Sequence, residues 1–288
     1  MTIEKLGIGH KELLTARLKA LGVSLSEYSF PNLYLFRERH AYEVLVGADV
    51  FIRGIAYDGH RFLMPTTDVH SVDPRVLKDA LRGVDFLFPV PEEWLGPFPP
   101  EEYDVSFHEG DADYVYSVQK MSTYAGRKLH KKRNLLKQFI ERYRHDAQPL
   151  TIERLDHART VLEEWKRELG PEPVLTDYAS CREALDRSEE LALCGGIVYA
   201  DGEPAGFVLG EELNDETYVL HFAKARTKFK GVYQYLYNSF AKVLPPKYRV
   251  LNLEQDLDQE NLRVFKSSYA PDRMLRKARV ALKNRMTG

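Results

Sequence analysis

A short basic segment stands out in a chain that is slightly acidic overall. Residues 126–134 read GRKLHKKRN and lead into a predicted helix, so positive side chains crowd its first turns. The amino-terminal end of a helix already carries about half a positive charge and unpaired N–H groups, which makes cations there unfavourable unless an anion binds. A phosphate group would reverse this effect. We therefore predict a phosphate-binding surface made of Arg127, Lys128, His130, Lys131, Lys132, Arg133 and Asn134.

The same helix has an apolar side, which leaves a second interpretation open. The helical wheel predicts an apolar stripe on Leu129, Leu136, Ile140 and Tyr143, with Phe139 at its edge. Lys132 falls close to this stripe, so its side chain either bends outward to water or reaches into a cleft. The alternative to phosphate binding is a solvated amphipathic helix whose cations pair with the acidic segment 91–113.

A polar run after a predicted strand has the side chains that acyl transfer requires. This reaction needs a base for the nucleophile, hydrogen-bond donors for the carbonyl oxygen and an acid for the leaving group. The strand YRVLNLEQD ends where α/β sheets commonly open onto a ligand, and it delivers Asn252, Glu254, Gln255 and Asp256. We predict Glu254 as the general base and Asn252 and Asp256 as substrate-binding residues. Helix capping or turn formation is the alternative for the two carboxylates.

Two residues farther along the chain complete the predicted catalytic set. Lys266 and Tyr269, in the segment FKSSYAP, could orient a carboxylate or supply protons. Downstream, a second basic segment could extend the phosphate-binding surface into a groove for a tRNA backbone or anionic head groups, through Arg273, Arg276, Lys277, Arg279, Lys283 and Arg285. The alternative for this segment is a charged tail with helix propensity.

Other motifs predict no further chemistry. The cluster HEGDAD at 108–113 lacks a second ligand group at a defined spacing, and its glycine favours a loop over a metal site. The sequence has no P-loop, no Gly-x-Ser-x-Gly elbow and no His-Glu-x-x-His, which argues against kinase-type, serine-hydrolase and zincin chemistry. We therefore expect no metal cofactor.

Composition favours a folded globular protein in a reducing compartment. The chain has 288 residues, of which 44% are hydrophobic and 11% aromatic, enough for sizeable cores. Its 41 basic and 43 acidic residues exclude a generic polyanion binder, and two widely spaced cysteines do not suggest a disulfide framework. The amino terminus lacks a signal-peptide pattern, and the apolar stretches fall short of a membrane span. We expect a cytoplasmic protein that could also touch the inner face of the membrane.

The order of predicted elements suggests two related α/β units. A helix at 10–21 precedes an aromatic segment that we predict as partly extended, and Asp58-Gly59 predicts a hairpin between strands. Asp73 and Pro74 predict a helix start, and Asp201-Gly202 predicts a second hairpin. The loss of periodicity around Pro149 predicts a domain boundary, which gives an amino-terminal domain over 1–147 and a carboxyl-terminal domain over 148–288.

Three segments together resemble a known family. GRKLHKKRN, SEYSFPNLYLFR and NLEQDL…NLRVFKSSYAPDRML are similar to the soluble carboxyl-terminal domain of bacterial phosphatidylglycerol lysyltransferases, over nearly the whole chain. The resemblance implies an α/β (α+β) fold: a tandem pair of GNAT-like (acyl-CoA N-acyltransferase-like) domains, each a mixed, mostly antiparallel sheet flanked by helices. It also implies a relation to Fem-type aminoacyltransferases, which take an amino acid from charged tRNA. Lys266 and Tyr269 match family motif positions. We expect no membrane-spanning half in this chain.

The resemblance leaves three functions open. The first is an acyltransferase that moves an aminoacyl group from aminoacyl-tRNA to an amine or hydroxyl acceptor such as a lipid head group. The second is an acyl-CoA-dependent N-acetyltransferase, in which Arg226 and Gly231 would serve the pyrophosphate loop, although RTKFKGVY departs from the usual Gln/Arg-x-x-Gly-x-Gly/Ala spacing. The third is a non-catalytic module that binds tRNA or anionic lipid. The expected donor is therefore aminoacyl-tRNA or acyl-CoA.

Overall fold

The computed structural model describes residues 2–170 and 176–283, and the chain forms two compact units. The first unit comprises the described parts of 1–113, 255–260 and 274–288. The second comprises the described parts of 114–254 and 261–273. Each unit is built on its own seven-stranded sheet.

The first sheet is mixed and mostly antiparallel. Its strands are β1 (Thr2–Lys5), β2 (Glu43–Val46), β3 (Val50–Ile55), β4 (Arg61–Pro65), β5 (Phe86–Val90), β6 (Tyr103–Phe107) and β14 (Ala278–Leu282). Their spatial order is β1-β2-β3-β4-β5-β14-β6, and only the β4–β5 pairing is parallel among those described. The helices of this unit are α1 (Lys11–Leu21), α2 (Phe30–His40) and α3 (Pro74–Leu81).

Local sequence signals explain two of these helices. Asp73 caps α3 by accepting a hydrogen bond from the Arg75 N–H, and Pro74 occupies the first turn, as predicted. The aromatic segment predicted as partly extended is instead the helix α2. Ser29 caps α2 by accepting from the Asn32 N–H, and the α2 residues Phe30 to Leu35 are all buried. The cap and burial on several sides outweigh the β-propensity of the aromatic residues.

The second sheet repeats the plan of the first. Its strands are β7 (Asp113–Ser117), β8 (His145–Pro149), β9 (Cys194–Ala200), β10 (Glu203–Asn214), β11 (Thr217–Ala225), β12 (Val250–Asn252) and β13 (Arg273–Leu275). They are ordered β8-β9-β10-β11-β12-β7-β13, with a parallel β11–β12 pair. The helices are α4 (Val118–Thr123), α5 (His130–Arg142), α6 (Leu155–Glu168), α7 (Tyr178–Asp186), α8 (Val232–Val243) and α9 (Glu260–Ser267).

The two sheet orders correspond strand by strand. In each sheet, four consecutive antiparallel strands are followed by one parallel neighbour and then by an antiparallel strand from a distant part of the chain. That inserted strand is β14 in the first sheet and β7 in the second. The predicted pair of related α/β units with mixed sheets is therefore confirmed.

The boundary predicted at 147/148 does not coincide with the division of the structure. It falls inside β8, which pairs with β9 in the second sheet. Residues 114–147 contribute β7, α4 and α5 to the second unit, and the end of the chain returns to the first unit as β14. The sequence signal was ambiguous because β8 is an edge strand, where proline is tolerated just as it is in a linker.

The basic helix α5 buries a different residue from the one expected. Phe139, placed at the edge of the apolar stripe, is fully buried and stacks on Tyr235 with ring centroids 4.7 Å apart. Ile140, placed within the stripe, is 41% exposed. The helix packs against α8, and that contact selects a face rotated from the one that hydrophobicity alone predicts.

The second basic segment forms strands and not a helical tail. Lys277 immediately precedes β14 and Arg279 lies within it, and both side chains are buried in the first unit. The Lys277 Nζ lies 2.7 Å from Glu27 and 2.6 Å from Asp113. Arg279 binds both oxygens of Asp111. These buried cations are part of the core and do not form an open groove; Arg285 lies outside the described residues.

The Lys277 cluster predicts a large loss of stability when its cation is removed. Lys277→Ala would leave Asp113 as a buried, uncompensated charge, and we expect the free energy of unfolding to fall by about 3–5 kcal/mol. Urea denaturation of the purified variant measures this loss. Arg276→Ala is the matched control, because Arg276 pairs with Glu92 at the exposed surface and its removal should change little. Equal effects of the two substitutions would contradict the assignment.

Candidate active site

The second sheet opens where its two parallel strands separate. β12 pairs with β11 only from Thr217–Val250 to Val219–Asn252, while β11 continues to Ala225. Beyond this point the two strands no longer share hydrogen bonds, and the chain leaves β12 through Leu253 and Glu254. The ends of adjacent strands in α/β sheets are common ligand sites. The polar side chains that follow the pairing are therefore the candidate active site.

A β-bulge places a histidine at this opening. The pairs Leu209–Phe222 and Gly210–Leu220 leave His221 as the extra residue of β11, without a partner across β10. A bulge re-aims side chains and is frequent next to active sites. His221 is thereby directed between two carboxylates, one on β10 and one after β12.

His221 bridges these carboxylates as a buried cation. Its Nδ1 lies 2.8 Å from the Glu254 Oε1, and its Nε2 lies 3.0 Å from the Glu211 Oε1. Burial lowers the pKa of His221, but the hydrogen bonds and negative charges of Glu211 and Glu254 outweigh burial and raise this pKa to about 10. The imidazolium holds the Glu254 side chain in place, and 13% of that side chain remains exposed and open to a substrate.

The backbone of Glu254 is held in an unusual conformation. Its φ is +59°, in the left-handed region that a residue with a side chain seldom adopts. The Glu254 N–H donates to the Asn252 Oδ1 at 2.7 Å, and the Lys266 Nζ donates to the Glu254 carbonyl oxygen at 3.2 Å. Such conformations cluster at functional sites, where surrounding contacts maintain them. Asn252 and Lys266 therefore position Glu254 through its main chain.

Tyr269 lies in the aromatic core of the second unit. Its side chain is fully buried, and its hydroxyl accepts a hydrogen bond from the Gln234 Nε2 at 3.0 Å. Burial raises its pKa well above the ordinary value for tyrosine. The ring packs against the rings of Tyr116, Tyr124, Tyr237 and Phe265. These contacts support the surrounding elements, and a direct proton transfer by Tyr269 stays a prediction.

The predicted phosphate-binding residues divide into two groups. Arg127, Lys128, His130, Lys131 and Asn134 are exposed. Within the described residues of the second unit, no ion pair joins the three exposed cations Arg127, Lys128 and Lys131 to a carboxylate. They therefore form an available positive surface, which we call the α5 basic surface.

The other two members of the set make internal contacts. The Arg133 guanidinium donates to the carbonyl oxygens of Tyr124 and Gly126, which fixes the turn before α5. Lys132 places its Nζ over the Tyr269 ring, 3.8 Å from the centroid. In the sequence these two cations resemble their neighbours, because only packing distinguishes them.

The residues assigned to a pyrophosphate loop are engaged in packing. Arg226 pairs with Glu203 at 2.9 Å and also donates to the Pro204 carbonyl oxygen. Gly231 precedes α8 with a φ of +87°, and a Cβ at this position would lie 2.3 Å from the Leu135 carbonyl oxygen. The glycine therefore allows α5 and α8 to approach closely.

Asp256 belongs to the first unit. It is fully buried, and its Oδ1 accepts from the Asp258 N–H at 2.9 Å. This geometry matches the turn-forming role that the sequence left open. The structure thus brings Asn252, Glu254 and Lys266 together, and it places Asp256 with a different unit.

Sequence reasoning missed His221 and Glu211. Both lie in strands that otherwise read as apolar, LHFAKA and FVLGEEL, and a polar residue in such a strand was the available signal. A neighbouring polar contact was missed as well: Lys224 Nζ lies 2.7 Å from Asp177 and 3.8 Å from the Trp165 ring centroid. These partners are far apart in sequence, so no local pattern joins them.

Comparison with known proteins now identifies the family. The sequence profile described as "Phosphatidylglycerol lysyltransferase, C-terminal" matches residues 19–280. The chain belongs to this family. Membership in the phosphatidylglycerol lysyltransferase C-terminal family confirms the resemblance noted in the sequence and places the chain among transferases.

Individual relatives support the same fold. A conserved protein of unknown function from Bacteroides thetaiotaomicron superposes with a TM-score of 0.84 at 26% identity, covering 98% of this chain and 100% of that one. The C-terminal domain (DUF2156) of a protein assigned as a lysylphosphatidylglycerol synthetase from Agrobacterium fabrum has a TM-score of 0.66 at 12% identity, covering 96% and 93%. The tandem GNAT-like fold predicted from the sequence is confirmed.

A further relative matches over only part of its own length. An uncharacterized protein of Mycoplasmoides gallisepticum is 24% identical over 206 residues, which is 69% of this chain and 62% of the relative. The match therefore spans less than two thirds of the relative's length. No helix among the described residues combines the length and apolar character needed to cross a bilayer.

The bridging cation predicts a pH-dependent contribution to stability. The folded-state pKa of His221 exceeds its unfolded value, so its stabilisation is complete below about pH 6.5 and is lost as pH rises through about 10. We expect the difference in unfolding free energy between wild type and His221→Gln to shrink by roughly 4 kcal/mol from pH 6 to pH 9.5. Denaturant titrations across this range measure it. His130→Gln, at an exposed position, should show a flat difference, and a flat His221 curve would refute the buried cation.

Proposed function

We propose that the chain transfers an aminoacyl group from aminoacyl-tRNA to a hydroxyl or amine acceptor, such as a lipid head group. The observation that carries this proposal is the Glu211–His221–Glu254 bridge at the opening of the second sheet, in a member of a transferase family. The carboxylate of Glu254 is held by His221 on one side, and 13% of the side chain is exposed. It has the geometry of a positioned general base.

The chemistry requires one proton to leave the acceptor as the new bond forms. Glu254 accepts the proton from the acceptor O–H or N–H, and the acceptor atom attacks the carbonyl carbon of the aminoacyl ester. The ester C–O bond then breaks, and the ribose oxygen of the tRNA leaves with the proton that Glu254 took up, which restores the carboxylate. The charge of His221 orients the Glu254 carboxylate between turnovers through the hydrogen bond to its Oε1.

The α5 basic surface supplies the donor contacts in this proposal. Arg127, Lys128 and Lys131 are exposed and lie around the first turn of α5. Cations in this arrangement bind the phosphodiester backbone of RNA without reading its sequence. Lys132 and Arg133 make internal contacts and are left out of the proposed contact set.

The acyl-CoA alternative has less support from the geometry. Arg226 is bound to Glu203, and Gly231 serves the close packing of α8 against the Leu135 carbonyl of α5. Neither residue is arranged as an open pyrophosphate cradle. Substituting Gly231 to test CoA binding would disturb this packing, so saturable CoA binding to the wild-type protein is the cleaner measurement.

Glu254 provides the direct test of catalysis. Glu254→Gln keeps the size and hydrogen-bonding shape of the side chain but removes the base, and we expect aminoacyl transfer to fall at least about 100-fold. The assay follows radiolabelled amino acid from charged tRNA to lipid or amine acceptors. Glu216→Gln is the control, because Glu216 is an exposed carboxylate in the β10–β11 turn region. Undiminished transfer by Glu254→Gln would remove Glu254 as the base.

The α5 basic surface is tested by binding across a salt series. In an Arg127→Ala, Lys128→Ala, Lys131→Ala triple variant, we expect weaker tRNA binding and a log–log salt slope that is shallower by about 2–3. Filter binding of bulk aminoacyl-tRNA measures both quantities. A Lys242→Ala, Lys247→Ala, Arg249→Ala variant removes the same charge elsewhere on the second unit and should bind as wild type.

The two measurements together separate the proposed functions. Equal loss in both triple variants would mean that only net charge matters, and it would contradict a localised donor site. Normal tRNA binding without transfer to any acceptor, unchanged by Glu254→Gln, would favour the non-catalytic binding module. Binding to vesicles with anionic lipid, but not to tRNA, would show that the α5 basic surface contacts a membrane and does not bind the tRNA donor.

A further inference from the structure

Lys132 occupies an environment unlike that of the other cations on α5. Its Nζ lies 3.8 Å from the ring centroid of Tyr269 and 5.7 Å from that of Phe265. It also donates a hydrogen bond to the Ser268 Oγ at 2.6 Å. No carboxylate pairs with Lys132 in the described part of the chain. Burial lowers the pKa of this amine to about 8, so a substantial fraction is neutral in mildly alkaline solution.

Ser268 is held in a defined position and is open to solvent. It follows the last residue of α9, where its N–H donates to the Val264 carbonyl oxygen at 3.1 Å. Its hydroxyl donates to the Phe265 carbonyl oxygen while accepting from Lys132. The residue is exposed, so a reagent can reach the oxygen. An accessible serine in contact with an amine of low basicity is the arrangement of a serine–lysine nucleophile pair.

We propose that Ser268 and Lys132 form a nucleophilic dyad that accepts an acyl group from an activated ester. When Lys132 is neutral, the Ser268 hydroxyl turns from the Phe265 carbonyl oxygen to the Lys132 amine. The amine takes the hydroxyl proton as the Ser268 Oγ forms a bond to the carbonyl carbon. The ester C–O bond breaks, and the leaving oxygen receives the proton from the Lys132 ammonium. The products are an O-acyl serine and a free alcohol, so atoms and charge balance.

The groups around Lys132 do not compete for this proton. The Tyr269 hydroxyl is bound by Gln234, and burial keeps its pKa far above that of Lys132. Arg133, on the same helix, is bound to main-chain carbonyl oxygens. Lys128 and Lys131, on the same helix, are exposed to solvent.

The dyad extends beyond the proposed function because it does not use Glu254 or the bridge to His221. Its substrate class is the activated ester, and the aminoacyl ester of a charged tRNA is one member of this class. A small synthetic ester tests the dyad without tRNA or an acceptor. Failure of this test would leave the role proposed for Glu254 intact.

The probe is p-nitrophenyl acetate, used with the full chain and read out by intact-protein mass spectrometry. We expect addition of one acetyl group, which peptide mapping places on Ser268 and hydroxylamine removes because it is an ester. The labelling rate should rise with pH through about 8, following the neutral form of Lys132. Ser268→Ala should abolish the label, and Ser267→Ala, at the adjacent exposed serine, should retain it.

Further variants assign the roles within the pair. Lys132→Arg preserves the positive charge but cannot act as a base, and we expect the labelling rate to fall about 100-fold with no loss of folding. Glu216→Gln, at an exposed carboxylate of the second unit, should label as wild type. Labelling of Ser268→Ala at the same rate, with a hydroxylamine-stable amide on Lys132, would overturn the dyad by showing that the amine itself reacts. Unchanged labelling in Lys132→Arg would also overturn it.

Discussion

The buried positive charge of His221 is the interaction on which the candidate active site depends. Glu211 and Glu254 come from different parts of the second sheet and would repel each other if no cation lay between them. The bulge in β11 brings His221 to that position. Its two hydrogen bonds offset the free energy lost when the imidazolium is removed from water. The result is a carboxylate that is fixed by charge on one side and reachable by substrate on the other.

The two sheets use the same topology with different electrostatics. In the second sheet the inserted strand β7 pairs beside β12, next to the opening that carries Glu254. In the first sheet the equivalent strand is β14, which follows Lys277 and contains Arg279, and both cations are buried against carboxylates. Burial raises the pKa of Glu27 to about 7, against the opposing pull of Lys277. The first unit therefore uses its charged residues for internal pairing, whereas the second unit leaves a carboxylate accessible.

Helix α5 shows how one basic segment can serve several physical roles. Arg133 satisfies main-chain carbonyl oxygens, Lys132 packs on an aromatic ring, and the exposed cations remain available to an anion. Its packing is made possible by Gly231, whose missing Cβ lets α8 approach the Leu135 carbonyl. A charge count alone would treat all of these side chains as equivalent.

The sequence by itself determined most of the secondary structure, the repeated α/β plan and the family. Turn and cap residues such as Asp58-Gly59 and Asp73-Pro74 act locally, so the elements they form can be predicted without knowledge of the tertiary structure. It also predicted Glu254 and the exposed members of the α5 basic surface as site residues, because strand ends and charge runs are visible along the chain. It did not locate the unit boundary, since an edge strand with a proline looks like a linker.

Only the tertiary structure decided which polar residues meet. His221 reaches Glu211 and Glu254 through a bulge and a strand pairing, and Lys132 reaches Ser268 across 136 positions of sequence. Burial then separated the cations that bind internally from those that face water, and it placed Lys277 and Arg279 of the second basic segment in core ion pairs. These outcomes depend on contacts between distant segments, and a contact of that kind leaves no periodic or local signal in the sequence.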